Sequence, residues 1–374
     1  MRIVLAPDSF KESMSAAQAV EAMARGVRGV VPDAVCIPAP IADGGEGFVA
    51  ALAAPLDAEV VEVTVRGTLG RPHAARFALA GDLAVIEVAE AVGIGQIPPA
   101  DRDLMNSASV GVGELILSAL DRGARRLVVG LGGSGTNDGG AGMLAALGVR
   151  LLDEAGRDVP PTPKGLRLLA SVDATGLDPR LAGVEFEIAS DVTNVLCGPA
   201  GASAVYGPQK GASGEQVAEL DALLGRFADL SGRHGAAEQP GAGAAGGLGF
   251  ALIAFLGAVM RPGIDVVIEL TALESHLVDA DFVFTGEGSL DAQTAMGKGP
   301  LGIALAAKRH RVPVIGFGGR VTPDADVLLE QGFAALVPIV QGVTDLPTAL
   351  ADGPANLERA VASVTRLLIA GGAR

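Results

Sequence analysis

Short runs of consecutive apolar residues alternate along this chain with segments whose apolar positions recur at helical spacing. Arg2 to Ala6 reads as a strand that ends at Pro7-Asp8-Ser9. Ser15 to Val30 reads as a helix, with Ser13 or Ser15 as its cap. Ala34 to Pro38 reads as a second strand, followed by the loop ADGGEG at 42–47 and a helix over Phe48 to Ala53. This β-α-β-α order is the opening of a doubly wound sheet. From Glu59 to Val88 the period shortens to alternation, with turns at Gly67, Gly70 and Gly81-Asp82, which predicts antiparallel hairpins and the start of another domain.

Beyond the hairpins the helical and apolar runs return. A helix is predicted over Val110 to Asp121, a strand over Leu127 to Leu131, and a helix from Ala141. Glu185 to Ala189 reads as a strand ending at Ser190-Asp191, and Glu215 to Ser231 as a helix. The segment GAGAAGGLG at 241–249 is too apolar for a linker and predicts a packed helix N-terminus. Strands over Ala280 to Thr285, Val312 to Phe317 and Ala334 to Ile339, and a last helix over Pro354 to Leu368, complete the first pattern. The fold class expected is α/β with two domains. A Rossmann-like parallel-sheet domain (1–58 and 265–374) is interrupted by an inserted α/β domain (59–264) with antiparallel hairpins near its start.

Composition sharpens this picture. The 374 residues suit two domains. Aromatic residues make up 3% of the chain and Trp is absent, so the core is built from Ala, Val, Leu and Ile, as in buried parallel sheets. A net charge of −15 argues against a nucleic-acid surface, so an anionic ligand must be met by local cations and amides. Cys36 and Cys197 are too few and too scattered for a disulfide framework or a zinc site. The N-terminus reads as a strand and the apolar run near Gly246 to Met260 is too short to span a bilayer, so a cytoplasmic protein without membrane partners is expected.

Candidate chemistry collects in the loops after the strands, where open α/β sheets bind ligands. One set is Asp8-Ser9-Phe10-Lys11, Asp43-Gly44-Gly45-Glu46, Gly286-Glu287-Gly288 and Gly318-Gly319-Arg320. The other is LGGSGTNDGG at 131–140, with Ser134 to Asp138, and Ser190-Asp191. Two rims of this kind suggest a cleft between two domains. The 131–140 loop sits between strand and helix like a phosphate cradle, yet it lacks a P-loop lysine and carries its own acid, Asp138. Of the five lysines, Lys11, Lys210 and Lys298 lie in turn-rich motifs. Lys11 and Lys298 suit phosphate oxygens, whereas Lys210 reads equally well as an exposed loop lysine. His73, His234, His276 and His310 fall outside every one of these loops, and no serine sits in a nucleophile-elbow pattern. Acids, hydroxyls, lysines and amides without a histidine fit phosphoryl transfer best.

Six segments then carry a resemblance. They are APDSFKES at 6–13, PIADGGEG at 40–47, GLGGSGTNDGGAGML at 130–144, SDVTNVLCGPAGASAVYGPQKGA at 190–212, GAGAAGGLG at 241–249 and TGEGSLDAQTAMGKGP at 285–300. In order and from first strand to last helix, the chain resembles the bacterial glycerate kinase family of the type that makes 2-phosphoglycerate. Glu12 stands where that family usually has Gly, Phe48 where Thr is common, and Gly135 where Ala or Ile is usual. The resemblance implies an ATP- and Mg²⁺-dependent enzyme that phosphorylates (R)-glycerate at its 2-hydroxyl, on a two-domain fold distinct from P-loop kinases.

On that reading Asp191 is the first candidate for the base and Asp138 the second. Lys11 and Lys298 would neutralise phosphate charge, and Asp8 and Asp43 would meet Mg²⁺. The amides of Gly132 to Gly135, with Ser134 and Thr136, would hold an anion, and Arg320 a carboxylate. Ser9, Gly44, Gly45, Glu46, Gly132, Gly133, Asn137 and Glu287 complete the expected binding set. The partners expected are glycerate and ATP, with the chain acting as monomer or homodimer. Two other classes fit less well: a nicotinamide-dependent oxidoreductase of small hydroxy acids, and a non-catalytic two-lobed anion-binding protein.

Overall fold

The computed structural model describes residues 1–372 apart from Asp43 and Lys298. The strands among the described residues are β1 (Arg2–Pro7), β2 (Val35–Pro38), β3 (Glu59–Arg66), β4 (Pro72–Ala80), β5 (Leu83–Glu87), β6 (Arg126–Gly130), β7 (Arg150–Leu152), β8 (Ser171–Asp173), β9 (Glu185–Ala189), β10 (Val259–Arg261), β11 (Phe282–Leu290), β12 (Val314–Val321) and β13 (Phe333–Pro338). Contacts divide the chain into two compact units. The first is Met1–Asp43, Ala50–Leu56 and Gly263–Arg374, and the second is Gly44–Val49 and Asp57–Pro262.

The first unit holds a parallel five-stranded sheet in the order β13-β12-β11-β1-β2. Its strand order reverses between β1 and β11, which is where such sheets open a crevice at their carboxyl ends. The helix Ala16–Arg28 covers one face. Ser15 is its cap: its hydroxyl accepts from Gln18 N–H at 3.2 Å, and the Gln18 side chain accepts from Ser15 N–H at 2.9 Å. A closed capping box of this kind stabilises a helix by about 1 kcal/mol. The apolar face of the helix buries Met23 and Val27 against Ile3, Leu5, Leu357 and Val361. Phe284 and Phe317 meet edge to face at 5.4 Å across β11 and β12.

The second unit holds a six-stranded sheet in the order β10-β9-β6-β5-β4-β3. β3, β4 and β5 pair antiparallel, as the alternation predicts, and β5, β6, β9 and β10 are parallel. The hairpins therefore extend the same sheet as the parallel strands. β7 and β8 form a separate antiparallel pair.

Three segments differ from expectation for the same physical reason. Strands β11 and β12 were expected to stop at Thr285 and Phe317, yet they run on to Leu290 and Val321. Their glycines are not turn residues here. A Cβ on Gly286 would run into the Phe317 carbonyl oxygen, and one on Gly319 would come within 2.6 Å of the Gly288 oxygen. At 241–249 the helix Ala244–Leu256 does begin, but Ala245, Gly246 and Gly247 take left-handed dihedrals. That bend lets Gly246 and Gly247 lie directly on the backbone of Thr136 to Gly139.

Candidate active site

In the second unit the carboxyl ends of three strands stand level, because Glu87 pairs with Gly130 and Gly130 with Ala189. The segment Gly44–Val49 lies across these ends. Gly132 N–H donates to the Gly44 carbonyl at 2.9 Å. A Cβ on Gly44 would strike the Ala189 carbonyl, and one on Gly130 would come within 2.6 Å of the Gly44 oxygen. Gly44, Gly130 and Gly132 thus serve close backbone packing, which a Cβ would prevent.

Glu87 clasps the same segment. Both its oxygens accept from Gly47 N–H at 3.1 Å, and Oε2 also accepts from Val49 N–H at 3.2 Å. Its side chain is 2% exposed. Burial pushes its pKa up to about 7, against the opposing pull of the Val49 and Gly47 amides, and Glu90 and Glu46 raise it further. The unfolded chain ionises this group near 4.5, so the native state holds the extra proton between 4.5 and 7. The stability that Glu87 contributes is therefore full below pH 4.5 and is lost as pH rises through 7. Chemical denaturation of the wild type and of Glu87→Gln across pH 4 to 8 checks this. The difference between them is expected to shift toward the variant as pH rises, and a difference independent of pH would show that Glu87 does not titrate in this window.

The 131–140 loop is less open than its sequence suggests. Gly132 N–H is held by Gly44, and Gly135 N–H donates to the Val92 carbonyl at 2.7 Å. Two of the amides expected to hold an anion are thus already committed to backbone partners. Gly133 forms the exposed tip, with φ +72°, and Ser134 lies buried beside it. Thr136, Asn137 and Asp138 are fully buried. Asn137 donates from Nδ2 to Ser203 Oγ at 2.9 Å, whereas Thr136 Oγ1 and Asn137 Oδ1 have no hydrogen-bond partner among the described residues.

Asp138 has a different occupation from the one expected of a base. Its Oδ2 accepts from Ser109 N–H at 2.7 Å, Ser109 Oγ at 2.8 Å and Gly142 N–H at 2.9 Å, and its Oδ1 accepts from Gly140 N–H at 3.1 Å. Ser109 precedes the helix Val110–Asp121, and Gly140 precedes the helix Ala141–Ala146. One buried carboxylate therefore caps two helix starts, where negative charge is favoured. Burial raises its pKa and these four donors oppose the rise. An acceptor so filled and so enclosed has little to offer a substrate hydroxyl. Asp191 is exposed on the loop that follows β9. Ser190 fixes that loop by donating its N–H to the Arg261 carbonyl at 3.1 Å and accepting Val192 N–H on its hydroxyl at 3.3 Å. Glu46 is exposed on the segment packed over the same strand ends.

The lysine with no clear role in the sequence proves to be buried in this unit. Lys210 is 4% exposed, and its ammonium donates to Ser134 Oγ and to the Thr136 carbonyl, both at 2.8 Å. Burial pushes its pKa down to about 7, partly offset by the Asp138 carboxylate. Glu87 and Ser109 were not singled out in the sequence. The one available signal was an acid closing the apolar run LAVIE.

In the first unit the crevice between β1 and β11 carries Asp8, Ser9 and Glu287. Asp8 N–H donates to the Gly286 carbonyl at 2.8 Å, and Ser9 N–H donates to Asp8 Oδ1 at 2.6 Å. Glu287 accepts from Thr294 Oγ1 at 2.7 Å. Phe10 and Met14 close a turn through paired backbone bonds of 2.9 Å and anchor it with buried side chains, leaving Lys11 and Glu12 exposed. Glu12 sits at φ +64°, a backbone conformation that favours glycine. Arg320 is exposed and lies within β12 opposite Ser289, not in a loop after the strand. Asp43 and Lys298 fall outside the described residues.

No group of three or more His, Cys, Asp or Glu side chains gathers to hold a metal among the described residues. The residues present do suit an ion that arrives with a nucleotide, because Mg²⁺ commonly needs only one or two carboxylates besides substrate phosphates. Burial pushes the Cys197 thiol up to about 12, which keeps it in the thiol form near neutral pH. No described helix is long and apolar enough to cross a membrane.

Both α/β units carry acids and hydroxyls at the carboxyl ends of their parallel strands, with no histidine among the described residues of these rims, which fits a small-molecule kinase. The chain belongs to the glycerate kinase family, whose model matches residues 3–369, and it is an enzyme, a kinase acting on glycerate. It is 47% identical to a glycerate kinase of Bacillus subtilis (strain 168), over 96% of this chain and 95% of the relative. It is 42% identical to the glycerate 2-kinase of Escherichia coli (strain K12), over 99% of both chains. A crystal structure assigned as glycerate kinase 2 from Salmonella typhimurium LT2 superposes with a TM-score of 0.87 at 45% identity, covering 99% of each chain.

Proposed function

We propose that this enzyme transfers the γ-phosphoryl group of ATP to the 2-hydroxyl of (R)-glycerate, giving 2-phosphoglycerate and ADP. The observation that carries the choice of carbon is the 42% identity over 99% of both chains to a relative named glycerate 2-kinase. Transfer is direct and in line: the glycerate O2–P bond forms as the bond between the γ-phosphorus and its bridging oxygen breaks. The hydroxyl proton passes to the Asp191 carboxylate, the exposed acid of the second unit's rim. Ser134 donates to an oxyanion of a bound substrate. Lys11 and Lys298 neutralise phosphate charge, and Arg320 meets a carboxylate. Glycerate and nucleotide are further contacted by Ser9, Glu46, Gly133 and Glu287. Mg²⁺, held by Asp8 and Asp43 together with ATP's own oxygens, would screen the charge that builds on the phosphates.

Phosphorus NMR of the product tests the reading. A phosphate on C2 couples to a single carbon-bound proton and gives a doublet, whereas one on C3 couples to a methylene and gives a triplet. A doublet appearing with (R)-glycerate and Mg-ATP is expected. A triplet overturns the choice of carbon, and no product overturns the reaction.

A further inference from the structure

The ammonium of Lys210 reaches the 131–140 loop from a turn more than 70 residues later in the chain. It comes from the segment Pro208–Lys210, which is followed by Gly211 at φ +97°. Its two bonds fix two different parts of the loop, the Ser134 side chain and the Thr136 backbone. The bond to Ser134 has a direction. In its ammonium form the lysine can only donate, so in that form Ser134 Oγ accepts and the serine's own proton is left to donate elsewhere.

We propose that Lys210 is a positioning residue for oxyanion recognition, which holds Ser134 as a hydrogen-bond donor and places a positive charge directly behind that hydroxyl. The ligand is the carboxylate of glycerate or a phosphate of the nucleotide, so this rests on the reading given under Proposed function. The arrangement answers a problem set by the chain's net charge of −15: an anion must be met by a local positive charge. The other charged groups that face Lys210 are few. Asp138 favours its ammonium form. Arg102 and Asp103 border the same small cavity, and Arg102 Nη1 donates to the Gln209 carbonyl at 2.8 Å. Because burial brings the lysine's pKa down to about 7, part of it is neutral in the free enzyme at pH 7.5. An anion bound to Ser134 favours the ammonium, so binding takes up a proton.

The experiment compares wild type, Lys210→Met, Lys210→Arg, Ser134→Ala and the double variant Lys210→Met/Ser134→Ala, all as full-length enzyme. KM is measured separately for glycerate and for ATP. Calorimetric binding of each is repeated at pH 7.5 in two buffers of different ionisation enthalpy. Lys210→Met is expected to raise one KM tenfold or more and leave the other unchanged. Ser134→Ala reproduces that rise, the double variant adds little to it, and Lys210→Arg retains part of the affinity. The substrate whose KM moves identifies the oxyanion, and the proton uptake on binding it disappears in Lys210→Met. Should Lys210→Met fail to fold, Ser134→Ala still decides, since it removes one oxygen and leaves the lysine in place. Unchanged KM values for both substrates in Ser134→Ala overturn the proposal, and so does undiminished proton uptake in a folded Lys210→Met. Wild-type turnover alongside such results confines the failure to Lys210. A wild type that binds neither substrate and makes no product overturns both readings.

Discussion

Replacing Asp191 by Asn is expected to lower kcat by about 10²- to 10⁴-fold, the usual contribution of a positioned general base. Thermal stability should fall far less than kcat, because Asn keeps the shape of this exposed residue. Asp191 is the second residue after β9, and its neighbour Ser190 is buried, donating its N–H to the Arg261 carbonyl and accepting Val192 N–H on its hydroxyl. The base is thus carried on a fixed platform at the end of a central strand, beside β6 and its loop. A base must be unprotonated to act, so the wild-type rate should fall on the acid side of its pH profile. That limb should be lost from what activity the variant retains. If Asp191→Asn keeps a near wild-type kcat across pH, the assignment fails. Asp138 is then a poor substitute, because its oxygens are already occupied by four donors.

The fold was legible because its signals are local. Buried parallel strands read as apolar runs, and β9 and the helix Val110–Asp121 fall where the pattern puts them. Ser15 advertises its helix through a hydrogen-bonded box that spans four residues. The extensions of β11 and β12 were not legible, since glycine permits both a turn and a close strand pair and the sequence does not say which. The same ambiguity made the 131–140 loop look like an open cradle of amides. Its glycines instead admit neighbouring backbone, and two of its N–H groups are held by it. Lys210 was left undecided and Glu87 was missed for a different reason. A lone lysine in a Gly/Pro turn and a lone acid at a strand end acquire their roles only through partners 38 to 76 positions away. No local pattern carries that information.

The largest effect on stability is expected from Asp138→Ala. Three buried backbone N–H groups and the Ser109 hydroxyl lose their acceptor at once. Each buried donor left without a partner costs about 1–3 kcal/mol. Part of that is offset because the variant no longer buries a carboxylate, whose desolvation is the main reason its pKa is raised. The net loss should be about 3–5 kcal/mol, or roughly 10 °C in the melting of a unit of this size. Asp138→Asn keeps one accepting oxygen but turns an NH₂ toward N–H donors, so it should fall between wild type and Ala. Differential scanning calorimetry of the three proteins checks the order. The outcome also discriminates between the two roles considered for this acid. A structural clasp predicts that Asp138→Asn loses stability and keeps kcat within a few-fold of wild type at a temperature where it is folded. A full-strength transition with kcat reduced as far as in Asp191→Asn would show that Asp138 takes the proton, and that its four hydrogen bonds set its position for that task.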